Sequence, residues 1–160
     1  MCEYDRNMID PSRRKALKAG GGLGLLGIFT VLGLVPGAAW AKANQAAFEA
    51  KSLGEAFEAL GVIVPEDSTL IQLTVPEIAE NGAVVPVTVN SLLARTEQIS
   101  ILADKNPTML AANFLIPEGT EGFVTTRIKM AQTSSVVVLV KAGGKFYRAS
   151  QEVKVTAGGC

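Results

Sequence analysis

Val136-Val137-Val138-Leu139-Val140 is apolar at every position, which suits a strand buried on both faces in the middle of a sheet. Gly143-Gly144 follows and reads as a two-residue hairpin turn, because paired glycines reach the positive-φ conformations such turns require. The chain then returns as a strand from Phe146 to Val155. Working outward, Val124, Thr126, Ile128 and Met130 alternate with Thr125, Arg127 and Lys129, and Ile99 and Ile101 begin another alternating run. Val85, Val87 and Val89 share a face, with Pro86 pushing that strand toward an edge or a bulge. Ile71, Leu73 and Val75 alternate with Leu70, Gln72 and Thr74. Residues 45–60 alone carry helical spacing, through Phe48, Leu53, Phe57 and Leu60, with Gly61 as the stop. That stripe is read as core packing rather than a cofactor box. Six or seven short strands and one short N-terminal helix predict a mainly β protein, an immunoglobulin-like β-sandwich.

Ahead of this domain, Ser12-Arg13-Arg14-Lys15-Ala16-Leu17-Lys18 places paired arginines in a basic segment, and residues 19–41 then carry no charge. The uncharged run is glycine-rich and closes on Ala39-Trp40-Ala41, an A-x-A cleavage pattern. Twin arginines before a mild apolar core read as a Tat export signal, so residues 1–41 are expected to be removed and the mature chain to be periplasmic. The competing reading is a transmembrane anchor, since the run is nearly long enough to span; its glycines and small-residue exit favour cleavage. Removal takes away five basic and three acidic residues and leaves ten against twelve, a net charge of −2. So weak a charge points to neither nucleic acid nor an anionic membrane surface. The remaining 119 residues make one domain, large enough for a core without disulfide staples.

The sequence contains no histidine, which removes Ser-His-Asp and Cys-His catalysis and most zinc, copper and haem sites. With Cys2 gone, Cys160 is the sole thiol, so an intrachain disulfide and iron–sulfur ligation are excluded as well. No phosphate-cradling motif is present, and neither a cofactor nor a metal is implied. In an oxidising compartment an unpaired cysteine implies intermolecular pairing or a reactive thiol. Cys160 follows Gly158 and Gly159, which have no Cβ and open most of φ/ψ space. The stretch from Thr156 to Cys160, at ~3.3–3.6 Å per residue, reaches roughly 14 Å. A thiol on such an arm, residues 157–160, suits a group that visits other proteins; a frayed terminus or an added conjugation handle are the plain alternatives.

Pro76-Glu77-Ile78-Ala79-Glu80-Asn81-Gly82-Ala83-Val84-Val85-Pro86-Val87 resembles the signature segment of the SoxY family, the sulfur carriers of the periplasmic Sox sulfur-oxidation system. Asn106-Pro107 before a strand, the stretch Arg127-Ile128-Lys129-Met130-Ala131-Gln132-Thr133-Ser134, and Val153-Lys154-Val155-Thr156 running into the arm extend the resemblance in order along the domain, residues 42–156. The resemblance implies a carrier, not an enzyme, paired in a heterodimer with a SoxZ-like subunit. Cys160 would be the covalent attachment site, with Gly158 and Gly159 as the swinging arm. A c-type cytochrome enzyme would couple thiosulfate to the thiol, a hydrolase would release sulfate, and a sulfane dehydrogenase would oxidise the sulfur left behind. The family arm usually reads Gly-Gly-Cys-Gly-Gly, whereas this sequence stops at Cys160; a carboxylate beside the sulfur would disfavour thiolate.

Other residues invite weaker readings. Arg127 and Lys129 share a strand face and would attract an anion, or simply form a solvated face. Glu77, Glu80, Asn81 and Gly82 look like a turn rather than acid–base machinery. An apolar edge from Val84 to Val89 is a candidate heterodimer seam. Two other functions stay open beside the carrier. One is a non-covalent periplasmic immunoglobulin-like adaptor; the other is a thiol redox protein or disulfide-linked homodimer, which lacks a resolving cysteine.

Overall fold

The computed structural model describes residues 45–157. The chain divides into two units, Met1–Ala38 and Ala39–Cys160, and the described residues all belong to the second. Residues 1–41, expected from the sequence to be an export signal, and Gly158, Gly159 and Cys160 lie outside them. Strands β1 (Glu66–Asp67), β2 (Ile71–Thr74), β3 (Ile78–Ala79), β4 (Val85–Ser91), β5 (Thr96–Ala103), β6 (Leu110–Leu115), β7 (Phe123–Ile128), β8 (Ser134–Ala142) and β9 (Lys145–Val155) form two sheets. One runs in the order β1-β9-β8-β5-β6, with β3 also paired to β9; the other runs β2-β4-β7.

The apolar run at 136–140 lies on β8, which is hydrogen-bonded to β9 on one side and β5 on the other. That central placement explains why both faces are apolar. Val136, Val138 and Val140 enter a core shared with Ile99 and Ile101 of β5 and Val85, Val87 and Val89 of β4, so the two sheets pack face to face. Val137 and Leu139 point to the other face and join Leu102, Leu110 and the helical residues in a second cluster. The β8–β9 turn forms as its glycines require, with φ of +57° at Gly143 and +77° at Gly144.

The helical region differs from expectation. Instead of one helix over 45–60, residues 45–49 are helical, the chain breaks, and α1 (Leu53–Leu60) starts afresh. Ser52 causes the restart: its backbone is extended and its hydroxyl accepts from the Glu55 N–H at 3.2 Å, an N-cap that satisfies one of the orphan donors of the first turn. Gly61, at φ 75°, ends the helix as expected. The break re-aims the first segment, so Ala47 and Ala50 are buried while Phe48 is 41% exposed. Leu53, Phe57 and Leu60 do pack on the sheet.

The expectation that β4 lies at an edge is corrected. It is the middle strand of its sheet, between β2 and β7; Val85, Val87 and Val89 are fully buried on its inner face, while Val84, 51% exposed, and Pro86 are exposed on the outer one. Pro86 is tolerated there because β2 ends at Thr74, opposite Thr88. On that side Pro86 has no ladder neighbour that would need its missing N–H. No helix among the described residues is long and apolar enough to cross a membrane.

Candidate functional site

The end of β9 is where the sequence motifs meet. Its last residues lie between the start of β8, where Ser134 pairs with Val153, and the short parallel strand β3, where Ile78 and Ala79 pair with Lys154 and Val155. Lys154 N–H donates to the Glu77 carbonyl at 2.9 Å, and Thr156 N–H to the Ala79 carbonyl at 3.1 Å. The Thr156 hydroxyl donates to the Glu80 carbonyl at 3.2 Å. Gly82 N–H then donates to the Ala157 carbonyl at 2.7 Å, and the Gly82 carbonyl accepts from Met130 N–H, also at 2.7 Å. One buried residue, Gly82, thus ties the end of the described chain to the segment after β7.

The opposite flank is closed by a side chain. The Thr133 hydroxyl accepts from Val155 N–H at 2.9 Å and donates to the Val155 carbonyl at 3.4 Å. It satisfies both polar groups of a residue just past the last β8–β9 backbone pair. The segment that carries Thr133 is itself pinned. Asn106 donates to the Lys129 carbonyl at 2.7 Å and accepts from Ala131 N–H at 2.9 Å. Gln132 donates to the Lys105 carbonyl at 3.3 Å.

The signature segment, Asn106 and the 127–134 stretch therefore all converge on the root of the C-terminal segment. Glu77 and Glu80 serve through their backbone carbonyls, and Asn81 makes the expected turn by accepting from Ala83 N–H at 2.8 Å. Arg127 and Lys129 are both solvent-exposed. Gly82, Asn106, Thr133 and Thr156 all lie in the motifs, but their convergence is not legible in the sequence. Their partners are up to 76 residues away for Thr156, and no local pattern encodes such pairs.

Elsewhere, a cleft of about 840 Å³ lies among Asn90, Arg95, Glu97, Glu118 and Gly122. It sits beside the Ser91 end of β4, where β7 begins, whereas the root lies beyond the Val85–Ile128 end of the same ladder. The cleft and the end of β9 thus lie at opposite ends of that ladder. Among the described residues no group of histidine, cysteine or carboxylate side chains could hold a metal. The clearest pKa perturbation is a surface one: Arg148 reaches Asp67 through two hydrogen bonds of 2.8 and 2.9 Å, which hold the Asp67 carboxyl below its usual range.

These features define a class: a two-sheet β protein with a helical pad on one face, whose motifs fasten the base of its C-terminal segment. The chain belongs to the SoxY family; its residues 57–160 match the family of the sulfur oxidation protein SoxY. It is 44% identical to the solved sulfur carrier protein SoxY from Chlorobium limicola f thiosulfatophilum, with a TM-score of 0.60, over 66% of this chain and 96% of that one. A superoxide reductase (neelaredoxin) from Ignicoccus hospitalis aligns at 19% identity and TM-score 0.46, over 53% of this chain and 79% of that one, too distant to bear on activity. No curated protein matches the sequence.

Proposed function

We propose that this protein is a periplasmic sulfur carrier that holds thiosulfate-derived sulfur covalently on Cys160. The observation that carries the reading is the built root: the chain is fastened through Ala157, three residues before the sole thiol of the exported form. Family membership extending through residue 160 and the twin-arginine segment support it. The β2-β4-β7 sheet facing β9-β8-β5-β6 suits an immunoglobulin-like carrier domain, and a SoxZ-like subunit is its proposed partner.

In the proposed cycle the thiol and thiosulfate form a sulfur–sulfur bond. The thiol proton leaves to water and two electrons go to a c-type cytochrome enzyme. Water then attacks the terminal sulfonate, a hydrolase releases sulfate, and a persulfide stays on Cys160 for a sulfane dehydrogenase. Gly158 and Gly159 let the backbone enter a narrow active site where side chains would clash. Tethering replaces diffusion with an effective concentration in the millimolar range. No catalytic group is asked of the carrier itself.

The test is intact mass spectrometry of the protein isolated from the periplasm of cells given thiosulfate, before and after reductant. Reductant-labile sulfur on Cys160 is the expected result. An unmodified Cys160 during turnover would favour the non-covalent adaptor, and a labile mass of two chains the disulfide-linked homodimer.

A further inference from the structure

We infer that Thr133 and Thr156 are positioning residues for the Cys160 thiol, and that their hydroxyls set the length of the arm that carries it. The inference rests on the carrier reading. The last pair of the β8–β9 ladder is Ser134 with Val153. Beyond it, β9 would have only the two-residue strand β3 beside it, and so short a pairing frays readily. The two threonines supply what the ladder lacks. Thr133 meets both backbone groups of Val155 from one flank, and Thr156 meets the Glu80 carbonyl from the other. Together they hold the strand end in place so that the Ala157 carbonyl faces Gly82 N–H at 2.7 Å.

The consequence is geometric. With the root fixed at Ala157, three residues remain, and at ~3.3–3.6 Å each they carry the sulfur roughly 10 Å. An enzyme that acts on Cys160 must therefore bring its own surface to the root. If the chain were released back to Val153, seven residues would remain, with a reach of roughly 24 Å. Effective concentration falls as about the −3/2 power of tether length once the tether spans the sites, so the thiol would be diluted about fourfold at a site the shorter arm already reaches. The clip trades reach for concentration.

The experiment uses the full chain with Cys2 replaced by serine and a nitroxide label on Cys160. Thr133→Val with Thr156→Val keeps the side-chain shapes but removes both hydroxyls, and each single variant serves if the double one does not fold. The expected result is a sharper electron paramagnetic resonance line from a more mobile label. The Val155 and Thr156 amides should exchange with solvent at least ~10-fold faster, as release from a hydrogen-bonded end allows. Thr133→Ser with Thr156→Ser should restore both readings, since serine keeps the hydroxyl, and iodoacetamide should alkylate unlabelled Cys160 at an unchanged rate. A label whose motion is the same in the valine and parent proteins would overturn the inference, whatever the amides do. Failure of the carrier reading shows separately, as a Cys160 never loaded with sulfur in cells.

Discussion

Ser134 opens β8 with its side chain 2% exposed, and its hydroxyl has no partner among the described residues. A buried hydroxyl left unpaired costs about 1–3 kcal/mol, so Ser134→Ala is expected to raise unfolding stability by about 1 kcal/mol in urea titration; a comparable loss would mean the hydroxyl is bonded in solution. Asp67 is the opposite case, exposed and well partnered. Its carboxyl is held low chiefly by the hydrogen bonds from Arg148, with a smaller contribution from the guanidinium charge. A depressed folded-state pKa stabilises above the unfolded value, near 3.9, and that contribution is lost as pH falls through the folded one. The stability difference between the parent and Asp67→Asn should therefore be level from pH 8 to 5 and close only below about pH 4. A difference that changes between pH 5 and 8 would assign the linkage to other groups. Arg148 is raised by the same hydrogen bonds, so its part would be lost only at strongly alkaline pH.

At the scale of elements, what was legible depended on how local the cause was. The β8–β9 hairpin was readable because its causes lie within the chain stretch that forms it, an apolar run and two glycines with φ of +57° and +77°. A Cβ placed on Gly144 would meet nothing within 4 Å, so Gly144→Ala tests backbone strain alone. It should cost about 1–2 kcal/mol, the left-handed penalty for an L-residue, while Gly143→Asn should be nearly neutral because asparagine tolerates that region. Equal losses for the two would refute the turn assignment. The helix was half legible. Its hydrophobic spacing was continuous, but the Ser52 cap competes locally for the backbone, so the first segment buries Ala47 and Ala50 rather than Phe48, which no periodicity of large side chains reveals. Pro86 misled for a related reason: its missing donor matters only opposite a paired strand, and where β2 stops is a tertiary fact. The root was the least legible part. Thr133 and Thr156 look like ordinary polar residues until β3 and β8 bring their acceptors and donors alongside.

For the whole molecule, β8 is the strand on which two cores meet. Val138 lies in the inter-sheet cluster and its sequence neighbour Leu139 in the helix-facing one, at 0% and 1% exposure. If the helical pad and the sandwich form one cooperative unit, truncation on either side must lower the same transition. Leu139→Ala is expected to cost about 2–5 kcal/mol, the range for a buried leucine that leaves a cavity. Val138→Ala should cost about 1.5–3 kcal/mol, from the area a valine buries. Both should shift the urea midpoint with the slope unchanged, because the surface exposed on unfolding is the same. The alternative is a pad that opens first, as the least stable units of a fold do. Leu139→Ala would then split the transition, with far-UV helix signal lost before the sheet, while Val138→Ala would not. A single coincident transition in both variants is the expected outcome. It follows from the ladder: β8 is bonded to β5 and β9 along its length, so a strand that feels both cores has no register in which it can surrender one and keep the other.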